Sequence, residues 1–236
     1  MKNLFKISFF FLLTIPFLVT TPLSSCNKHE CDNEPTPCDT CTVCDSCFVA
    51  LKPNIYIYPE KQLDMNVEIF FPEGGKVIKS IPQYKDGWTV NIESDGKIDE
   101  KWNYLFYESI QPNLWQFKKG WVIKQDELPK FFVENMTEYG FSKNEIVDFT
   151  THWIPLLKNE EEYIIYPQTN NTLDKLIGLK FSTDPDQILR LFYVIKPLLS
   201  KNQIEMMEEP IIDKSLNRSG LFVAEWGVVM KNNIKS

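Results

Sequence analysis

Several kinds of motif are missing from this sequence, and each absence removes a class of function. No cluster of basic residues could neutralise a phosphate backbone, so we predict no nucleic-acid partner. There is no glycine-rich phosphate loop, dinucleotide fingerprint or G-x-S-x-G nucleophile turn. His152 is the only histidine after residue 29, which excludes zinc sites built from several histidines. No cysteine follows Cys47, so the later chain offers no thiol nucleophile.

Long apolar runs are also missing, except for one at the N-terminus. Two lysines precede an apolar stretch at residues 7–19, which is shorter than the ~20 residues of a membrane span. The stretch closes at residues 23–26, L-S-S-C, where a small residue precedes cysteine as in the cleavage site of a bacterial lipoprotein. An ordinary secretory signal ends instead in an A-x-A-like site. We therefore predict a signal peptide at residues 1–25 and a lipid on Cys26.

The predicted lipid would place the protein outside the cytoplasm, anchored in the cell envelope. An aspartate directly after the lipidated cysteine can hold a lipoprotein at an inner membrane. Here that position is Asn27, which favours the outer membrane or the cell surface. The whole chain has a net charge of −7, and its first 25 residues contain two lysines and no acid, so the segment from Cys26 onward carries −9. This charge argues against binding anionic lipid through the protein surface. We expect the membrane to be reached through the lipid.

Residues 26–47 are predicted to form a cysteine-rich tether, because they are polar, contain prolines and lack hydrophobic periodicity. Outside the cytoplasm cysteines tend to form disulfides, and this is the interpretation we favour. Thiolates at C-x-x-C spacing could also bind zinc or copper(I) or act in thiol redox chemistry. Including Cys31, five cysteines besides Cys26 leave one without a partner. The regularly spaced cysteines are Cys38, Cys41, Cys44 and Cys47.

Residues 48–236 are predicted to form a single α+β domain that is antiparallel, β-rich and sandwich-like, with an inserted two-helix hairpin. Turn signals about every 8–12 residues indicate antiparallel strands in its first part. Asp126 is predicted to cap a first helix that Gly140 ends. A capping box from Ser142 to Glu145 begins a second helix. Strands are predicted at residues 54–59, 65–71, 88–92, 102–107, 115–123, 163–166, 176–181, 188–195 and 221–230.

Three side chains are candidates for catalysis. Asp148 and His152 are four residues apart on the second predicted helix, so the carboxylate could orient the imidazole as a general base. Glu225 lies opposite apolar strand residues, and a carboxylate in an apolar cleft could have a raised pKa. A glycosidase would need a second carboxylate, for which Glu108 or Asp148 is available. We favour the alternative, in which His152 is an ordinary helix residue and Glu225 is solvent-facing or salt-bridged.

Five short motifs occur in a familiar order. Residues 52–60, K-P-N-I-Y-I-Y-P-E, resemble the K-P-x-I-Y-L-Y-P-E opening of an uncharacterised family of secreted bacterial proteins. Residues 225–227, E-W-G, resemble its closing motif, and its interior motifs resemble residues 86–88, 104–108 and 153–155. The resemblance implies one domain over about residues 52–227 and an extracytoplasmic location. It implies no catalytic residue.

The sequence therefore favours binding or scaffolding over catalysis. Tyr56 and Tyr58 share a strand face and are predicted to be an exposed pair that could bind a carbohydrate or peptide ligand. We predict a lipid-anchored extracytoplasmic binding or scaffold protein without a cofactor. The alternatives are an envelope hydrolase that uses Glu225, or a metal-binding or thiol-redox lipoprotein that acts through Cys38 to Cys47.

Overall fold

The computed structural model describes residues 47–199, 207–213 and 216–231. The predicted signal peptide, Cys26 and the tether up to residue 46 lie outside these residues. The strands are β1 (Cys47–Tyr58), β2 (Leu63–Phe70), β3 (Lys76–Ile81), β4 (Trp88–Ile92), β5 (Leu105–Pro112), β6 (Trp121–Lys124), β7 (Glu162–Thr169), β8 (Gly178–Phe181), β9 (Gln187–Pro197) and β10 (Phe222–Lys231). The helices are α1 (Leu128–Tyr139), α2 (Lys143–Trp153) and α3 (Asn170–Leu176).

The strands form two sheets. The larger has the order β3-β5-β1-β10-β9-β7-β6, and the smaller has the order β4-β2-β8. Neighbouring strands are antiparallel except β9 and β10, which are parallel. The β-rich α+β prediction with a helical hairpin is confirmed.

Both faces of the large sheet are buried, which gives the domain three layers. Side chains of one face, such as Ile55 and Val223, pack with Val67 and other residues of the small sheet. Side chains of the other face, such as Trp226, pack against Phe149 of α2 and its neighbours on α1. Since a strand alternates its side chains between two faces, the middle strands of this sheet are apolar at almost every position.

A β-bulge interrupts the central strand β1. One extra residue of β1 lies between Leu51 and Asn54 relative to both neighbouring strands, β5 and β10. Lys52 in this bulge has a positive φ of 51°. Before the bulge the even-numbered residues face the small sheet, and beyond it the odd-numbered residues do. Ile55 and Ile57 therefore face the small sheet and Tyr56 faces the helices.

The helical hairpin begins and ends largely as local chemistry predicts. Gly140 ends α1 with a φ of 102°, which favours glycine. The capping box is present: the Ser142 hydroxyl accepts from the Glu145 amide, and the Glu145 carboxylate accepts from the Ser142 amide. The prediction that Asp126 caps α1 is wrong, because Asp126 lies in the 3-10 turn Gln125–Glu127, and Glu127 is the N-cap without a side-chain bond. Among the described residues, no helix is both long and apolar enough to cross a membrane.

Several elements differ from the predictions. The strand predicted at residues 102–107 is β5, which begins at Leu105 and continues to Pro112. The exposed edge strand β3 was not predicted, because most of its residues face solvent and give little apolar alternation. Residues 176–181 were predicted as a strand, but Leu176 ends the short helix α3 and β8 begins at Gly178. The strand predicted at residues 115–123 begins only at Trp121, since Gln116 before it bonds to the side chain of Gln168 instead of a strand ladder.

Candidate functional site

Glu225 lies inside the domain, between the two sheets. By strand alternation it shares a face of β10 with Val223, while Phe222, Ala224 and Trp226 pack towards the helices. Its side chain is 0% exposed. The expectation that Glu225 could line an open cleft is therefore wrong, and the salt-bridged alternative is the one that the structure shows.

Two side chains of other strands hold the Glu225 carboxylate. Arg190 Nε of β9 donates to its Oε2 at 2.6 Å, and the Tyr107 hydroxyl of β5 donates to its Oε1 at 2.7 Å. Arg190 Nη1 also donates to Oδ1 of Asp174, at 2.7 Å. Burial alone would lower the pKa of Arg190, but Glu225 raises it above the usual value. Burial and then the charge of Glu225 raise the pKa of Tyr107, so Arg190 stays charged and Tyr107 stays protonated at neutral pH.

This buried network is suited to holding strands together, not to acid–base chemistry. A substrate cannot contact a carboxylate that has no exposed surface. The two candidate second carboxylates are also engaged elsewhere, since Glu108 lies 3.8 Å from Lys79 Nζ and Asp148 accepts from the Tyr56 hydroxyl at 2.9 Å. The structure does not bring the two carboxylates of a glycosidase together at Glu225.

An open groove of about 430 Å³ lies at another place, between β1, β3, the start of β5 and the C-terminal end of α2. Its volume is within the ~300–1,000 Å³ range of small-molecule sites. We call it the lysine–aromatic groove. It is lined by the lysines Lys52, Lys79 and Lys101 and by the aromatic side chains Trp102, Tyr104 and Phe106. Its other polar lining residues are Asn103, Glu108 and His152.

The lysine ammonium groups lie against the aromatic rings. Lys52 Nζ is 5.3 Å from the ring centroid of Tyr104 and 5.4 Å from that of Phe106. Lys101 Nζ is 4.7 Å from the ring centroid of Trp102. Cation–π contacts of this length hold the ammonium groups in place without neutralising their charge. The groove therefore presents positive charge beside ring faces.

Positive charge exceeds negative charge in this groove, although the whole chain is acidic. Glu108 is the one acidic lining residue, and its ion pair with Lys79 is weak because the Lys79 side chain is 61% exposed. His152 adds no full charge at neutral pH, because partial burial and then the charge of Lys52 lower its pKa. The groove can attract an anion to a protein that otherwise repels anions.

Backbone strain is concentrated at the same place. In the described part of the chain, the non-glycine residues with positive φ are Lys52, Asp99 and Glu100, at 51°, 48° and 56°. Lys52 lines the groove, and the other two directly precede Lys101 and Trp102. Such conformations cost of order 1–3 kcal/mol each and cluster at functional sites. The strain marks this groove independently of its charge.

Two predicted residue pairs lie near the groove, Tyr56 with Tyr58 and Asp148 with His152. Neither pair has the exposure or the hydrogen bond that was predicted for it. Tyr56 is 3% exposed and Tyr58 is half-buried, so the prediction of an exposed pair is wrong. Their hydroxyls donate to Asp148 and Glu145 of α2, respectively, at 2.9 and 2.7 Å. Among the described residues no hydrogen bond joins Asp148 to His152, whose ring instead lies edge-on to that of Trp153. The proposed base-orienting pair is therefore not formed.

Arg218 fixes the N-terminal end of α2. Its guanidinium donates to both carboxylate oxygens of Glu145, at 2.7 and 3.0 Å, and lies 4.2 Å from the ring centroid of Phe222. Glu145 is 0% exposed and also accepts from Tyr58 and Ser142. A buried carboxylate with this many donors is a firm connection between α2 and the strands.

The predicted thiol site falls almost entirely outside the described residues. Cys47 is the first residue of β1 and is 1% exposed, whereas Cys38, Cys41 and Cys44 lie before residue 47. Among the described residues no group of three or more histidine, cysteine or acidic side chains could hold a metal ion. The metal and redox alternatives stay predictions for the tether.

Comparisons with protein-family models, with curated proteins and with solved structures find no match to this chain. The groove must therefore be interpreted from its own chemistry. Sequence reasoning missed Lys79, Lys101 and Trp102 as site residues. The only local signal was the alternation of charged or polar and aromatic residues in Lys101-Trp102-Asn103-Tyr104, which is also typical of an ordinary strand.

Proposed function

We propose that this protein is a lipid-anchored, extracytoplasmic binding protein of the cell envelope that holds an anionic ligand in the lysine–aromatic groove. The observation that carries the proposal is the excess of lysine charge beside aromatic rings, in an otherwise acidic chain. Ring faces favour a flat or ring-shaped ligand, and the lysines favour a carboxylate, sulfate or phosphate on it. No chemical step is required of any residue.

The lipid anchor and the location rest on the sequence. The apolar stretch and L-S-S-C at residues 23–26 support lipidation of Cys26, and Asn27 supports the outer membrane or the cell surface. Replacing Cys26 with alanine should release the protein from membranes into the soluble fraction. Persistence of the variant in the membrane fraction would contradict the anchor.

Motif geometry supports a relationship to the family that the sequence resembles. Lys52 of the opening motif contacts Tyr104 and Phe106 of an interior motif, and Tyr107 of that motif donates to Glu225 of the closing motif. Segments that are far apart in sequence thus share one groove wall and one buried network. The shared order of these motifs would follow if the groove wall and the buried network were both properties of such a family.

Binding can be tested with soluble polysaccharides of known charge. Tryptophan fluorescence, to which Trp102 contributes, would be followed during titration with hyaluronan, polygalacturonate or neutral dextran. We expect salt-sensitive binding of at least one acidic polymer and none of dextran. Lys52→Gln or Lys101→Gln should each weaken that binding about fivefold, by loss of about 1 kcal/mol of charge attraction.

The control is Lys180→Gln, which removes an exposed lysine of β8 that pairs with Glu68 outside the groove. It should leave binding unchanged. Failure of both acidic polymers to bind, or equal weakening by Lys180→Gln, would overturn the proposal.

A further inference from the structure

A second pocket adjoins the lysine–aromatic groove. It has a volume of about 360 Å³ and shares Asn103 with the groove. The rings of Tyr104 in the groove and Tyr56 in the second pocket are 5.2 Å apart between centroids. The two pockets are therefore consecutive compartments of one depression in the surface.

One helix and one loop form the walls of both compartments. Asn144, Val147 and Asp148 of α2 line the second pocket, and His152 of the same helix lines the groove. Residues spaced by three or four positions share one helix face, so a single stripe of α2 forms this wall. The facing wall is formed by the chain from Asp95 to Tyr104. A ligand longer than one ring would extend along α2.

The two compartments differ in charge. The groove has an excess of lysines, whereas the second pocket contains the carboxylates of Asp95 and Asp148 and one lysine, Lys97. Hydroxyl groups of a ligand can donate hydrogen bonds to the carboxylates, and can both donate to and accept from the amides of Asn103 and Asn144. The carboxylates repel anions. The second pocket therefore suits an uncharged, hydroxylated group next to the anion.

We propose that the ligand is a linear carbohydrate in which acidic and neutral sugar units alternate, with an acidic unit in the lysine–aromatic groove and a neutral unit in the second pocket beside α2. This inference rests on the proposed function and adds a second binding subsite to it. Tyr58 forms part of the neutral subsite, where its ring supports Gly96. A Cβ atom on Gly96 would lie 2.8 Å from that ring, so the close contact requires glycine.

The test compares sugars that differ in length and charge pattern by isothermal titration calorimetry. Hyaluronan hexasaccharide, which alternates acidic and neutral units, should bind about tenfold more tightly than glucuronate, a single acidic unit that fills the groove alone. Galacturonate hexamer, charged on every ring, should bind no more than about twofold more tightly than galacturonate itself, because its second carboxylate meets Asp95 and Asp148. An acidic peptide, glutamate hexamer, should bind more weakly than the hyaluronan hexasaccharide.

A blocking substitution locates the second subsite. Val147 is 48% exposed on α2, so Val147→Trp should fill the pocket without disturbing the core. It should reduce hexasaccharide affinity to that of glucuronate and leave glucuronate affinity unchanged. The matched control is Val133→Trp, at a valine of α1 that is 46% exposed, which should change neither affinity.

The outcomes separate this inference from the proposed function. Three outcomes would each overturn the alternating carbohydrate while Lys52-dependent anion binding persisted. These are equal affinities for hyaluronan hexasaccharide and glucuronate, a Val147→Trp variant that binds the hexasaccharide normally, and a glutamate hexamer that binds as tightly as the hexasaccharide. Loss of all Lys52-dependent binding would overturn the proposed function itself.

Discussion

The ion pair between Glu225 and Arg190 should make a large contribution to stability. Both side chains are nearly or fully buried, at 0% and 1% exposure, and Glu225→Gln removes the charge while keeping the shape. The guanidinium would then be left in the interior with only Asp174, whose side chain is 62% exposed, as a charged partner. Breaking a buried pair in this way costs about 3–5 kcal/mol.

The matched control is Glu68→Gln, the same substitution in an exposed pair. Glu68 lies 3.2 Å from Lys180 Nζ, and the two side chains are 47% and 68% exposed. Exposed pairs of this kind contribute only about 0–1 kcal/mol. The two substitutions therefore compare the same chemical change in two environments.

Urea unfolding followed by tryptophan fluorescence measures the difference. With a slope of about 2 kcal/mol per molar urea, Glu225→Gln should lower the midpoint by about 2 M and Glu68→Gln by less than about 0.5 M. A Tyr107→Phe substitution should cost about 1.5–3 kcal/mol alone and less in the Glu225→Gln background, because both remove the same hydrogen bond to a charged group. If Glu225→Gln shifted the midpoint no more than Glu68→Gln, the buried pair would not stabilise the fold as argued.

Three further predictions concern other contacts. Arg218→Ala should destabilise the protein by about 2–3 kcal/mol in urea unfolding, because it leaves the buried Glu145 without its cation, whereas Lys130→Ala, in an exposed helix pair, should cost less than about 0.5 kcal/mol. Ser142→Ala removes the helix cap and should cost about 1 kcal/mol in the same assay; no loss would contradict the capping role. Burial and the charge of Lys52 lower the pKa of His152, so its imidazole gains a positive charge only below the usual value of 6.5. Lowering the pH from about 7.5 to about 5.5 should therefore raise hyaluronan affinity about twofold. An identical rise in His152→Gln would show that another group is responsible.

Adjacent residues in the sequence predicted where helices and strands begin and end better than they predicted which elements pack together. The strand Trp88–Ile92, the glycine that ends α1 and the capping box of α2 are each determined by a few adjacent residues, and all three predictions are confirmed. Asp126 failed as a cap because the chain makes a 3-10 turn first. The edge strand β3 was missed because an exposed strand needs no apolar alternation.

The site could not be predicted in the same way, because its residues meet through tertiary structure. A salt bridge for Glu225 was one sequence interpretation, but its partner Arg190 follows only from the parallel register of β9 and β10, which pairs the two residues. Lys52, Lys79 and Lys101 come from three separate segments, and no local pattern indicates that they converge. Asp148 and His152 share a helix face as predicted, yet Asp148 accepts a hydrogen bond from the Tyr56 hydroxyl instead.

The extra residue in β1 adds a side chain to the groove without changing the interior of the domain. Deleting Lys52 would restore an uninterrupted ladder, and Asn54 and Ile55 would still pair with Trp226 and Glu225 of β10. Because paired residues of neighbouring strands share a face, every later side chain of β1 would keep its present face. The core therefore tolerates the presence or absence of this one residue, whereas the groove depends on it for one of its lysines.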